Sequence, residues 1–325
     1  MQRIPDEIRS LFRSIEGIKA EFDVPLSTLG RWKIGGDAAV VLTPSTEEGL
    51  AKGLRAIQAS GLPRLVIGDG SNLLFDDAGF HGVVVRIGRA MSDMHISGSR
   101  VVAQGGLWVP RFALELARAG LTGAEHIVGI PGTLGGLAVM NGGSQRKGIG
   151  SSIEEVRCLT QDGDLQVFSQ EDCRFAYRRS SLQENNAIVT SITFAFEVGD
   201  QSEIRRAMLA IMGERRRKFP LKKPNCGSVF VSDPAMYASV GPPGRAIEQV
   251  GLRGTQVGGA RIADLHCNFI VNCGDASSRD VLALIGLART RVHDNTGYWM
   301  DCEVRYVSPE GAVMPAHEAA EFSVS

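Results

Sequence analysis

The chain has 325 residues, 43% of them apolar and 22% charged, with a formal net charge of -1. This length suits two or three domains around a sizeable core, and so balanced a charge excludes bulk attraction to nucleic acid or to an acidic membrane. No apolar run approaches the roughly 18 residues of a membrane span, and the start, MQRIPDEIRSLF, lacks the apolar stretch of a signal peptide. Residues 1–22 read as a short helix and lead-in. At 45–60, STEEGLAKGLRAIQAS predicts a helix, with Ser45 and Glu48 as a capping box and Leu50, Leu54 and Ile57 on one face. RLVIGDGSNLLF predicts a buried strand, a glycine turn and a second apolar stretch, and GVVVRI (82–87) another strand. WVPRFALELARAG predicts a helix with Trp108, Phe112 and Leu116 four apart, closed by Gly120.

After residue 150 the pattern turns to β. EVRCLT, an Asp162-Gly163-Asp164 turn and LQVF predict a hairpin, and Ile188, Ile192, Phe194 and Phe196 share one strand face. SEIRRAMLAIMGERRRKF predicts a long helix with Ile204, Met208 and Ile211 inward. The strands CNFIVN and CEVRYV flank a helix over 278–292 with Val281, Ile285 and Val292 inward. The chain divides near 200–215. The basic run GERRRKFPLKK (213–223) reads either as a solvated helix end or as a phosphate-facing segment.

Glycine is over-represented, at 39 of 325 residues against a usual ~7%. It concentrates in IGDGSNLLF (67–75) and GIPGTLGGLAVMNGG (129–143), with further turns in KIGGDA (33–38) and VVAQGGLWV (101–109). Consecutive amides in such turns can point at one spot and hold an anion such as pyrophosphate. Each loop alone is equally a turn that lets strands pack. Neither GxGxxG nor GxxxxGK[ST] is present, so a bound dinucleotide would need a fold other than the Rossmann or P-loop type. The cysteines at 158, 173, 226, 267, 273 and 302 form no CxxC pair, and the histidines no HExxH, so no metal is expected and the thiols read as reduced and cytoplasmic.

Together, KIGGDA, IGDGSNLLFDDAGFHGVVV, GIPGTLGG with MNGG, FAYRRS, KFPL with PNCGSVF, HCNFIVN and CEVRYV occur in one order over residues 20–307. This set resembles the UDP-N-acetylenolpyruvoylglucosamine reductase (MurB) family, in its shorter type II form. The resemblance implies an α+β chain. Residues 23–200 would form an FAD-binding region of the vanillyl-alcohol-oxidase type, in two α+β lobes. Residues 201–310 would form an α+β substrate-binding domain, and 311–325 a tail. It places flavin contacts at Ile67, Gly68, Asp69, Gly70, Ser71, Asn72, Leu73, Gly105, Gly129, Ile130, Pro131, Gly132, Thr133, Gly135, Gly136 and Asn141. The chain departs from the family at Gly30-Arg31-Trp32, at Asp69, in MNGGSQRKG and at Ser232-Asp233.

The implied reaction reduces the enolpyruvyl ether of UDP-N-acetylglucosamine enolpyruvate to UDP-N-acetylmuramate, with NADPH and FAD as hydride carriers and flavin N5 as the donor. Negative charge then spreads from the substrate carbon into its carboxylate, and a proton must arrive. By family match Ser228 supplies that proton, Arg178 grips the carboxylate, and Glu303 is the third catalytic position. Arg215 and Lys218, 13 and 10 residues before Ser228, read as contacts to the diphosphate or a carboxylate, and Tyr177 as a residue that stacks on or hydrogen-bonds the substrate. A serine hydroxyl is a weak acid, so it suits only a strongly basic carbon acceptor. Glu303 beside a growing dianion should be protonated or bonded through an intermediary. The residues taken singly leave plainer readings open: Ser228 in a strand-entry turn, Arg178 as a surface arginine beside Arg179, and Glu303 on one strand face with Arg305. Cys226 reads as packing and His266 as structural. Two rival functions remain open here: another flavoprotein oxidoreductase of the vanillyl-alcohol-oxidase type, or a nucleotide-sugar binding protein without catalysis. The first often anchors flavin on a histidine, and none lies in either glycine loop.

Overall fold

The structure, a computed structural model, describes residues 4–322. Its contacts separate two compact units. The first comprises residues up to Phe22, Val40–Asp69 and Val83–Arg215; the second comprises Asp23–Ala39, Gly70–Gly82 and Arg216 onward.

The first unit is built on an antiparallel five-stranded sheet in the order Leu165–Ser169, Ile153–Leu159, Ile188–Ala195, Arg100–Gln104 and Met94–Ser97. The expected hairpin is its outer pair, and Gly163 turns it with φ +82°. One sheet face is packed by the helices Val109–Arg118 and Gln201–Lys218. Phe112 lies 4.9 Å from Phe194 and 6.0 Å from Phe196 between ring centroids, and Ile204, Met208 and Ile211 join the same core as their spacing predicts. Burying each such side chain stabilises by about 1.5–3 kcal/mol. Trp108 does not join them: it is the residue before the helix and is half exposed.

The central strand also carries buried Thr190, whose hydroxyl donates to Glu47 at 2.8 Å. Glu47 receives a two-pronged bond from Arg157 at 2.9 and 2.7 Å, which ties the helix Glu47–Ser60 to the sheet. That helix is capped by Thr46, whose oxygen accepts from the Gly49 amide at 3.0 Å, not by the expected Ser45 and Glu48 box. With Thr46 in the capping place, the third helical residue is Gly49, which has no side chain to reach back; Glu48 pairs with Lys52 instead. The first unit also holds a parallel pairing of Arg64–Ile67 with residues 83–86.

The second unit packs around the helix Ser278–Thr296, which begins with a Ser277–Asp280 capping box and ends at Gly297 with φ +75°. Val281, Ile285 and Val292 face its core as expected. Two small sheets surround it: Gln256–Val257, Ala260–Ile262 and Ile270–Asn272, and Val313–Pro315, Arg305–Val307 and Leu73–Phe75. Trp32, one of the family departures, is a core residue of this unit, with its indole donating to the Ile270 carbonyl at 2.8 Å. CEVRYV is only half strand. Pairing starts at Arg305, so Glu303 lies in the preceding bend and the expected alternation with Arg305 does not operate there.

Candidate functional site

The residues singled out in the sequence are divided between the two units. In the first, buried Ile67 ends a strand and leads into Gly68 and half-buried Asp69. A Cβ on Gly68 would sit 2.2 Å from the Thr133 hydroxyl oxygen, so the two glycine loops touch only because position 68 has no side chain. The second loop is threaded onto Gly105: the Gly135 amide donates to the Gly105 carbonyl at 2.7 Å, and the Gly105 amide donates to Thr190 at 2.8 Å. A Cβ on Gly105 would meet the Val189 carbonyl oxygen at 2.5 Å, a backbone atom that cannot swing aside. Gly129 packs on the Arg215 side chain, where a Cβ would lie 2.6 Å from Cδ and Nε. Ile130 and Pro131 lead to Gly132, whose carbonyl accepts the Val109 amide at 3.0 Å. Gly136, by contrast, is exposed, and a Cβ there would find only Thr133 Oγ1, at 3.7 Å. Of the loop glycines named here only Gly136 is exposed; turns packed this closely let backbone lie against a flat, phosphate-bearing cofactor such as FAD.

The end of that loop carries a second group. Asn141, at φ +40°, donates to the Ala176 carbonyl at 2.8 Å and accepts the Gly150 amide at 2.9 Å. Ala176 and Arg179 exchange both backbone bonds, at 3.0 and 3.1 Å, making a tight turn with Tyr177 and Arg178 at its tip. Arg178 adopts φ +56°, a conformation that non-glycine residues rarely hold and that clusters at functional sites. Its Nη2 donates to the Gly143 carbonyl at 3.0 Å, and its guanidinium lies 5.4 Å from the Tyr177 ring centre. Burial holds Arg215 below the ordinary guanidinium value.

In the second unit, Gly70, Ser71, Asn72 and Leu73 lead into the strand Leu73–Phe75. Asn72 donates to the Glu303 carbonyl at 3.0 Å and accepts the Arg305 amide at 3.1 Å. The Glu303 amide donates to the Val229 carbonyl at 2.8 Å, one residue after Ser228. Cys226 is buried with its thiol on the Leu73 carbonyl at 3.4 Å, which makes it a packing residue as expected. A Cβ on Gly227 would touch nothing within 4 Å, so what the position asks of glycine is its φ of +81°. Asn225 steadies that turn by accepting the Gly227 amide at 2.9 Å. Lys218, exposed, depresses the His266 pKa electrostatically, after burial as the larger cause. His266 packs on Phe219 and Phe269 and accepts the Asn268 amide, a structural role.

Sequence reasoning overlooked Asn268. Buried in HCNFIVN, it bonds Phe230 through both amide atoms, at 2.8 and 2.9 Å, while its carbonyl accepts the Val229 amide at 2.9 Å. Three bonds thus hold the two residues after Ser228; the signal was a lone amide inside an apolar run. Asp233, where the family departs, accepts both the Ala235 amide and the Tyr298 hydroxyl, at 2.8 and 2.6 Å. The latter bond, with burial second, pushes Tyr298 up to about 12.

Comparisons with known proteins cover both parts of the chain. A family model for the C-terminal domain of UDP-N-acetylenolpyruvoylglucosamine reductase matches residues 219–307, and one for an FAD binding domain matches residues 38–169. UDP-N-acetylenolpyruvoylglucosamine reductase 1 of Corynebacterium glutamicum is 41% identical over 320 residues, covering 98% of this chain and 96% of its own. The enzyme of that name from Heliobacterium modesticaldum is 38% identical, over 88% of this chain and 90% of its own. The crystal structure of the reductase from Thermus caldophilus superposes with a TM-score of 0.74 at 30% identity, covering 89% of this chain and 98% of that one.

Proposed function

This chain belongs to the UDP-N-acetylenolpyruvoylglucosamine reductase family, and from that premise we propose that it reduces UDP-N-acetylglucosamine enolpyruvate to UDP-N-acetylmuramate for peptidoglycan synthesis, in the cytoplasm. Bound FAD, recharged by NADPH, supplies the hydride chemistry. The residues suited to hold it are the glycine turns around Gly68, Gly105 and Gly129–Gly136, with Asn141. Arg178 orients the substrate by a two-pronged grip on its carboxylate and stabilises the charge that accumulates there. Ser228 delivers a proton to the carbon next to that carboxylate. Glu303 acts beside it, in the protonated state or through a bridging group, because a bare carboxylate would repel the growing charge. Tyr177, Arg215 and Lys218 bind the remaining polar groups of the substrate.

One observation carries this reading: the Glu303 amide bonds the Val229 carbonyl at 2.8 Å, which draws two of the three proposed catalytic residues into a single backbone unit. Anaerobic stopped-flow mixing tests it. With Ser228→Ala, NADPH should bleach the flavin at close to the normal rate, while reoxidation by the enolpyruvyl sugar should slow ~10²–10⁴-fold, the usual worth of a positioned acid. Equal loss in both half-reactions, or none in the second, would overturn the donor role.

A further inference from the structure

The segment carrying Glu303 is held from outside the span matched by the family model, which ends at residue 307. Backbone groups from Met300 to Val304 are bonded one after another. The Met300 carbonyl accepts Arg289 Nε at 2.9 Å, and the Asp301 carbonyl accepts the Val231 amide at 2.9 Å. The Cys302 amide donates to His317 Nδ1 at 3.0 Å. Glu303 bonds Val229 and Asn72, as described, and the Val304 carbonyl accepts the Ala316 amide at 2.9 Å. Two of these bonds, flanking Glu303 on either side, come from the first two residues of the helix Ala316–Phe322.

His317 is only 9% exposed. Because Nδ1 accepts, its proton belongs on Nε2, which lies 3.5 Å from the Asp301 carboxylate. The imidazole thus anchors the Cys302 backbone through Nδ1, with the exposed Asp301 carboxylate near its other nitrogen. Arg289, on the helix Ser278–Thr296, faces the same group and also bonds Glu321. We propose that His317 is a positioning residue for the reduction: as a neutral imidazole it clamps the Cys302 amide and so sets the place of Glu303. This rests on the reading of Glu303 given above.

The chemistry makes the clamp sensitive to acid. A protonated ring carries N–H on both nitrogens, so Nδ1 would confront the Cys302 N–H and the bond would be lost. The charged groups around the ring are Arg289, Asp301, Glu318 and Glu321. Burial, then Arg289, holds the His317 pKa below the ordinary imidazole value, with the three carboxylates opposing. The clamp is therefore intact at neutral pH and is released only as pH falls below the usual histidine range.

The test uses the FAD-loaded enzyme in anaerobic stopped flow from about pH 8 to pH 4, a range that extends well below ordinary imidazole titration. Asparagine can offer an oxygen where Nδ1 stood, whereas leucine fills the space without an acceptor. His317→Leu should slow flavin reoxidation by the enolpyruvyl sugar by ~10-fold or more, as expected when a reacting group is displaced by a fraction of an ångström, and leave flavin reduction by NADPH unchanged. His317→Asn should reoxidise within about twofold of wild type and lack the wild-type acid limb, since it cannot titrate. Wild-type rates in His317→Leu, equal slowing in both variants, or the same acid limb in His317→Asn would each overturn the clamp. If His317→Leu fails to fold, the pH profiles of wild type and His317→Asn decide alone. Glu303→Gln separates the two levels of the argument: reoxidation at the wild-type rate would remove Glu303 from the chemistry and the clamp with it. A slow Glu303→Gln beside a fast His317→Leu would reject the clamp only.

Discussion

Replacing Gly68 by alanine isolates the contact on which the two glycine loops depend. Gly68 is not among the residues with positive φ, so alanine meets no backbone objection there. The obstacle is Thr133, with Oγ1 at 2.2 Å and both Cβ and Cγ2 at 3.2 Å from the added carbon, whereas ordinary contact begins at 3.4 Å. One loop must retreat by roughly 1 Å, and Thr133 is buried and bridged to Trp108, so it has little room to yield. Such overpacking costs about 1–3 kcal/mol, offset by the ~0.4–1 kcal/mol that alanine gains by stiffening the unfolded chain. The net loss should be about 1–2 kcal/mol, or a melting temperature lower by roughly 2–6 °C. Thr133→Ala removes Oγ1 and Cγ2 and leaves only the Cβ, at a tight but tolerable distance. The double variant should therefore recover part of the loss instead of adding a second one, by about 1 kcal/mol. Thermal unfolding followed by circular dichroism, with and without added FAD, measures this, and flavin fluorescence on release reports the loosened grip. Additive losses in the double variant, or wild-type melting of Gly68→Ala, would refute the packing argument.

Arg178→Lys should lower the rate of substrate-driven flavin reoxidation by ~10-fold or more while flavin reduction persists, because one ammonium cannot copy the planar fork; turnover near wild type would remove Arg178 from the site. Glu47 is held below its ordinary pKa chiefly by the Arg157 hydrogen bond, so its stabilisation is present above the normal carboxylate range and fades as pH falls through the lowered value. Wild-type protein should accordingly lose more thermal stability than Glu47→Gln between about pH 5 and pH 3, where carboxylates titrate; parallel melting curves would contradict that assignment.

Much of the local structure was legible because its causes are local. The spacing of Ile204, Met208 and Ile211 announces a helix with one inward stripe, and Asp162-Gly163-Asp164 supplies the turn geometry for the hairpin around it. The cap at Thr46 was misplaced by one residue, since both Ser45 and Thr46 carry a suitable hydroxyl and only the chain's entry angle chooses between them. The strand at Glu303 was overextended for a different reason. An alternating pattern marks residues fit for a strand, but the ladder starts only where Leu73–Phe75 and Val313–Pro315 offer partners. Site residues embedded in long motifs, such as Arg178 and Ser228, could be singled out by resemblance. Asn268 and His317 could not, because each acts on a backbone group tens of residues away or around a turn. No local pattern says that residues 70–82 cluster with those after 215.

That clustering has a consequence during synthesis. The indole of Trp32 bonds a carbonyl 238 positions later, and Leu73–Phe75 finds its parallel neighbour only at Arg305–Val307. At a ribosomal pace of ~5–20 residues per second, these early segments wait on the order of tens of seconds for the portion they complete. Throughout that interval an apolar strand and a large aromatic ring stand unshielded on the nascent polypeptide, a natural target for holding chaperones and a liability when translation stalls.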